Sequence, residues 1–191
     1  RAINTADIIA LTTAQIQAIE TEDLVALTTA QYRALATDDI AALTTTQIKA
    51  LESSGLAALT TAQVTAFTTE QLAVLDGDQI AALGTSYMTT LSTSDILALG
   101  TAGIELMTTS QIANLGTASI AALTTAQIQT LGTDDIVALT TTQIRSINTS
   151  DIAVLTTDQI QAIETRDLAS LTTTQIQAVI TSDVGAVCSA Q

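Results

Sequence analysis

The sequence predicts an all-α solenoid built from very short helices, one for each eight-residue repeat. An apolar residue recurs every eight residues from Ile3 to Val187, without an insertion or deletion. The residues between these apolar positions are mostly helix formers such as Ala, Gln, Leu and Glu. We number the positions of each octad from the apolar residue as one to eight. Residues 1–191 are therefore predicted to form a single repeat array.

The octads also alternate in chemical type. A typical octad is Leu11 to Ala18, Leu-Thr-Thr-Ala-Gln-Ile-Gln-Ala; position three is Thr in 21 of 24 octads, and position six is always apolar. Position five alternates between Gln and Asp, as in Gln15 and Asp23, so the chemical unit is a pair of octads. We therefore predict a 16-residue coil of two octads. The alternation is irregular over about residues 51–122, where we expect the geometry to deviate.

Each octad contains signals that start and stop a helix. A continuous helix is excluded, because a period of eight rotates steadily around a cylinder with 3.6 residues per turn. Thr at position three is predicted to be the N-cap, and Asp at position five meets the positive end of the helix dipole. A glycine at position two is predicted to be a left-handed residue that ends the preceding helix. These glycines are Gly84, Gly100, Gly116 and Gly132.

A β-solenoid is the alternative fold. Its support is the fixed period and the abundance of Thr and Ile, which could stack as ladders. Apolar and polar residues alternate poorly along the octad, however, and the Asn and Gly residues typical of corners are scarce. The helical fold is therefore preferred.

The composition argues against several functions. The net charge is −14, with no His and one Cys, so zinc and iron–sulfur sites lack ligands and a Ser or Cys nucleophile lacks its usual base. We therefore expect no enzyme activity and no obligatory cofactor. The five basic residues are scattered, which argues against nucleic acid as a partner. These are Arg1, Arg33, Lys49, Arg145 and Arg166. No apolar stretch is long enough to span a membrane.

The position-five side chains are the first candidate site. Seven aspartates at this position could form a carboxylate ladder that holds Ca²⁺, since that ion prefers clustered oxygen ligands. They are Asp7, Asp23, Asp39, Asp135, Asp151, Asp167 and Asp183. The simpler interpretation is that each Asp stabilises the start of its own helix. The glutamines could form an amide ladder, but first-turn glutamines that bond to backbone donors are the preferred interpretation.

Position seven is the second candidate site. It is often polar in Gln-type octads and mostly small or apolar in Asp-type octads, which predicts one wet and one drier edge. The drier edge would contact another copy of the chain laterally. Its residues are Ile9, Val25, Ala41, Val137, Ala153 and Ala169. Neither terminus contains a polar capping repeat, so we also expect end-to-end contacts between copies.

The repeated run Leu-Thr-Thr-Ala-Gln-Ile-Gln-Ala resembles the octapeptide arrays of very large secreted or surface proteins of Gram-negative bacteria, often described as adhesin-like or calcium-binding. This resemblance covers essentially the whole chain. It implies a structural repeat protein outside the cell or on the surface of a bacterium, which self-assembles as a filament, stalk or surface layer. The alternative is an adhesive or calcium-dependent binding rod.

Overall fold

The computed structural model describes residues 4–182, and the side chains of residues 4–179. Within this range it contains short helices and no strand, which confirms the all-α prediction and excludes the β-solenoid. The helices are α1 Thr5–Ile9, α2 Thr13–Gln17, α3 Thr21–Val25, α4 Thr29–Ala34, α5 Thr37–Ala42, α6 Thr45–Ala50, α7 Ser53–Ala58, α8 Thr61–Thr65, α9 Thr69–Leu72, α10 Gly77–Ala82, α11 Thr85–Met88, α12 Thr93–Glu105, α13 Thr109–Ala113, α14 Thr117–Ala122, α15 Thr125–Thr130, α16 Thr133–Ala138, α17 Thr141–Ser146, α18 Thr149–Ile152, α19 Thr157–Ala162, α20 Thr165–Leu168 and α21 Thr173–Ser182.

The helices group into two compact units, Arg1–Tyr87 and Met88–Gln191. Each unit is a solenoid-like stack of octad helices. The division falls within the segment where the Gln/Asp alternation is irregular. Whether the whole chain behaves as one array stays a prediction.

The helix starts differ from the prediction by one residue. The N-cap is position two, and the position-three Thr is the first helical residue. In α2, the Thr12 Oγ1 accepts a hydrogen bond from the Gln15 amide at 3.3 Å, while the Gln15 Oε1 accepts one from the Thr12 amide at 2.9 Å. This reciprocal pair is a capping box. The assignment of the N-cap to position three was wrong. Thr12 and Thr13 offer the same side chain, but only Thr12 has the extended backbone of an N-cap.

The position-two glycines are mostly not left-handed. Gly116 and Gly132 have φ of −65° and −71° and serve as N-caps. Among the residues described, Gly100 is the one glycine with positive φ, at 62°. It lies at a kink inside α12, which joins two octad helices without a clean break. The prediction of a left-handed glycine is therefore confirmed for Gly100 alone. At the other position-two glycines the chain passes directly into the start of the next helix.

The core consists of positions one and six. The side chains of Ile16, Ile48 and Ile112, all at position six, are completely buried. Position-one residues such as Leu43 and Leu131 pack beside them and are also buried. Full burial of one Leu or Ile side chain contributes about 1.5–3 kcal/mol. Because one short helix cannot bury its own apolar residues, the stability of each octad depends on its neighbours.

The coil is longer than the predicted pair of octads. Within each unit the packed helices are three octads apart, as in α1 against α4, α2 against α5 and α14 against α17. Side-chain hydrogen bonds reach back further, over 28 to 31 residues. One turn of the solenoid therefore takes between three and four octads. The two-octad coil is wrong because the Gln/Asp alternation records local chemistry, whereas side-chain packing sets the number of helices per turn.

Candidate functional site

The position-five glutamines join successive coils. Gln79 is a first-turn residue of α10, where its Oε1 accepts a hydrogen bond from the Asp76 amide at 3.1 Å. Its Nε2 donates to the carbonyls of Ile48 and Leu51, each at 2.8 Å. These carbonyls lie at the end of α6, where a helix leaves backbone acceptors incompletely paired; the Ile48 carbonyl also accepts from the Leu51 amide at 3.1 Å. Gln79 is 2% exposed. We call this pair of donated bonds an inter-coil tie.

The same tie recurs through both units. The glutamine Nε2 in each case donates to carbonyls 27 to 31 residues earlier in the chain, at the end of one helix and before the next. The glutamines that make it are Gln47, Gln63, Gln71, Gln79, Gln127, Gln143, Gln159 and Gln175. The interpretation of these residues as first-turn glutamines that bond to backbone donors is confirmed, since Oε1 makes that bond. The ties were not predicted.

A side chain that makes both kinds of bond in the glutamine tie must carry an acceptor and a donor, and an amide carries both. The amide oxygen accepts a hydrogen bond from the N-cap N–H of its own helix, while the NH₂ group donates hydrogen bonds to carbonyls of the preceding coil. An ionised carboxylate can accept the bond from the N-cap, but it has no proton to donate to the preceding coil. Glutamine also carries no charge, so it can be buried with all its groups paired. No buried side-chain nitrogen or oxygen lacks a hydrogen-bond partner among the residues that the structure describes.

The first described coil lacks ties on its outer face. Gln15 is exposed, and within residues 4–182 its Nε2 makes no hydrogen bond, although its Oε1 caps α2. Leu11, Ile19 and Leu27, at position one, are half-buried here, whereas Leu35 and Leu43 are buried in the following octads. In later coils these same positions contact the preceding coil.

At Gly55, the carbonyl that a position-five glutamine would reach is instead bonded by a tyrosine of the adjacent octad. Gly55 occupies position five of α7, and a Cβ atom at this glycine would lie 2.7 Å from Cζ of Tyr32. The Tyr32 hydroxyl donates to the carbonyl of Leu24 at 2.8 Å. Leu24 precedes Gly55 by the same separation as Ile48 precedes Gln79, so its carbonyl lies where a position-five glutamine would donate. Burial, and secondarily the negative charge of Glu52, raise the pKa of Tyr32, so it stays a donor at neutral pH.

Other irregular octads make the tie with different donors. Ser119 replaces glutamine in α14, and its hydroxyl donates to the Leu91 carbonyl at 2.9 Å. Before α18, the Asn148 side chain donates to the Ala121 carbonyl at 2.7 Å. The requirement is therefore a hydrogen-bond donor at the coil junction, and several residue types meet it.

Polar residues at position seven act in the opposite direction along the chain. Gln17, Arg33 and Gln129 donate to the carbonyls of Ala42, Ala58 and Val154, each at 3.0 Å and 25 residues later. These residues were predicted to form a wet edge. They remain exposed, and they also bond to the next coil.

The predicted carboxylate ladder has six members within the described residues, and Asp183 lies outside them. No group of three or more Asp, Glu, His or Cys side chains close enough to hold a metal ion occurs in that part of the chain. Asp39 and Asp135 instead accept the N-cap amides of Ala36 and Gly132, both at 2.9 Å. Asp39, Asp151 and Asp167 are buried, whereas Asp7 and Asp23 are exposed. Asp39 and Asp135 thus act on their own helices, whereas the carboxylate of Asp167 accepts a hydrogen bond from the Thr141 hydroxyl of an earlier octad.

The predicted self-association edge is largely accessible. Ile9 is 68% exposed and Val137 is 46% exposed. Ala41, Ala153 and Ala169 are exposed as well, and Val25 is half-buried. Lateral contact through these residues stays a prediction. No helix among the described residues is both long and apolar enough to cross a membrane.

These features define a class: an all-α tandem-repeat protein in which short helices stack as a solenoid and polar side chains join the coils. A family model described as the ALTTAQ repeat matches residues 16–53, 48–85, 112–141 and 128–162, which together cover more than half of the chain. The chain therefore belongs to the ALTTAQ repeat family. No curated protein matches it.

Proposed function

We propose that the chain is a structural array of a secreted or surface-exposed bacterial protein, and that it builds a stalk, filament or surface layer by associating with copies of itself. The observation that carries this proposal is the repeated inter-coil tie. Each coil donates to the one before it through the same bonds, as Gln79 and Gln159 illustrate in the two units. Such a fold gains length by adding coils and needs no closing element.

The contacts between coils show which chemistry joins them: the glutamine amide donates to helix-end carbonyls of the preceding coil, beside buried apolar residues at position one. The net charge of −14 keeps the chain soluble before it associates.

The test is the size of the purified chain in solution. Sedimentation velocity over a range of protein and salt concentrations, with negative-stain microscopy of the same samples, should show assemblies that grow with concentration. High salt should favour them, because it screens the repulsion between acidic copies. Monomers alone at every concentration and salt would refute self-association.

A matched pair of variants separates lateral from end-to-end contact. Val137→Lys places a charge on the exposed edge of α16, and Thr133→Lys places the same charge on an exposed residue of the same helix. If copies associate laterally through this edge, Val137→Lys reduces the assembled fraction and Thr133→Lys does not. Equal behaviour of both variants and the parent would assign assembly to the ends.

A further inference from the structure

Asp151 occupies the place of a tie glutamine in the second unit. Eight residues later, at the same position five, Gln159 donates to the carbonyls of Ile128 and Leu131, each at 2.8 Å. Ile120 and Leu123 precede Asp151 by the same 31 and 28 residues that separate Ile128 and Leu131 from Gln159, so the register assigns their carbonyls to Asp151. Asp151 is only 3% exposed, so its carboxyl group lies at the coil junction and not in solvent. An ionised carboxylate there has no proton to donate to a carbonyl.

Among the described residues, the helices packed against Asp151 supply no compensating cation. Helix α18 packs against α15 and α21, whose sequences contain no charged or titratable residue. On the flanking helices, Arg145 and Asp158 are exposed. The Asn148 side chain donates to the Ala121 carbonyl and so replaces part of the missing tie. Burial raises the pKa of Asp151, and this effect outweighs its hydrogen bond with Asn148, which lowers it.

We propose that Asp151 is a proton-operated tie between coils: protonation of its carboxyl group supplies the donor that glutamine supplies at the equivalent positions. The neutral acid resembles a glutamine amide in having one acceptor and one donor. When Asp151 is protonated the second unit gains a bond between coils, and when it is ionised that bond is absent. The stability of the second unit would thus depend on pH, with no metal or ligand involved.

The direction of the effect follows from the native and unfolded states. The neutral form of Asp151 is favoured in the native state, so the folded unit holds its proton at a pH where the unfolded chain has released it. Stability is therefore greatest below the unfolded pKa and falls as pH rises through the folded pKa. Acidification from neutral pH should raise the melting temperature of the unit.

The experiment compares melting temperatures between pH 7.5 and pH 4.5 for the whole chain and three variants. Asp151→Asn and Asp151→Gln supply permanent amide donors at the junction. Asp158→Asn removes one charge from an exposed acid on the next helix. This last variant controls for the lower repulsion that any loss of negative charge brings to an acidic chain.

We expect one or both Asp151 variants to melt about 2–4 °C higher than the parent at pH 7.5 and to lose part of the parent's rise on acidification. Asp158→Asn should keep that rise. If the Asp151 variants parallel the parent at every pH, or if Asp158→Asn flattens the profile equally, the proposal is wrong. A ¹³C titration of the Asp151 carboxyl in the unmodified chain gives an independent result: a midpoint at the ordinary value for aspartate would also overturn it.

Discussion

Gly55→Ala is expected to destabilise the first unit by about 2–3 kcal/mol, which is a large effect for one methyl group. The new Cβ would lie 2.7 Å from Cζ and 2.9 Å from the hydroxyl oxygen of Tyr32. Tyr32 is 3% exposed, and its hydroxyl is held by the Leu24 carbonyl. Because the ring is buried and its hydroxyl is held, the new methyl group forces a shift of the ring or of the backbone. Urea unfolding followed by circular dichroism measures the loss.

The same pair predicts a rescue. Tyr32→Ile alone removes the donor to Leu24 and leaves a cavity, at a cost of about 2–4 kcal/mol. Combined with Gly55→Gln it restores the residue types found in regular octads, and the new amide has the same separation from Leu24 as Gln79 has from Ile48. We expect a favourable coupling of about 2 kcal/mol between the two substitutions. If the stability losses of Tyr32→Ile and Gly55→Gln simply add in the double variant, a glutamine at position 55 does not replace the bond made by Tyr32, and this account is wrong.

Gly84→Ala is the matched control for the single substitution. A Cβ atom at Gly84 meets nothing within 4 Å, and its backbone has no positive φ. We therefore expect a change of less than about 0.5 kcal/mol. A loss at Gly84 as large as that at Gly55 would show that glycine is needed for backbone reasons at both sites.

The second large effect is expected for Gln71→Leu, which keeps the side-chain size and removes the amide. Gln71 Nε2 donates to the Ile40 and Leu43 carbonyls at 2.9 and 2.7 Å, and its Oε1 accepts from the Thr68 amide at 2.8 Å. Gln71 is 2% exposed, so leucine leaves buried backbone groups without this partner. The Ile40 carbonyl keeps its bond from the Leu43 amide. The Leu43 carbonyl and the Thr68 amide lose this partner at about 1–3 kcal/mol each, so we expect a total loss of about 2–5 kcal/mol in urea unfolding.

Gln15→Leu is the control for this substitution. Gln15 caps α2 in the same way as Gln71 caps α9, but it is exposed and its Nε2 makes no bond to another coil among the residues described. The loss should be about 1 kcal/mol, the usual value for a helix cap. Similar losses for Gln15→Leu and Gln71→Leu would show that capping, and not the inter-coil tie, is the main role of these glutamines.

The local structure could be predicted from the sequence because each octad contains its own signals. The apolar residues at positions one and six, the Thr pair and the acidic or amide residue at position five together specify a short capped helix. The prediction placed the cap one residue late, since Thr12 and Thr13 are equivalent as sequence letters. Only the backbone conformation of the first distinguishes them.

The number of octads per turn was not predicted, because it is a property of packing between octads. The alternation of Gln and Asp suggested pairs, whereas the packed helices are three octads apart. One signal was available. Tyr32 is the single aromatic residue at position six, and Gly55 is a rare small residue at position five. A large and a small exception nearly three octads apart indicate contact between coils at that spacing.

The most direct test of the inter-coil tie is a measurement of nuclear Overhauser effects from the side-chain amide protons of Gln79. The structure predicts contacts with residues 48–51, to whose carbonyls Nε2 donates at 2.8 Å. The amide protons should also exchange slowly with solvent, since Gln79 is buried. Contacts only two octads back, around Gln63, or fast exchange without any contact to residues 48–51, would contradict a solenoid joined by these glutamines.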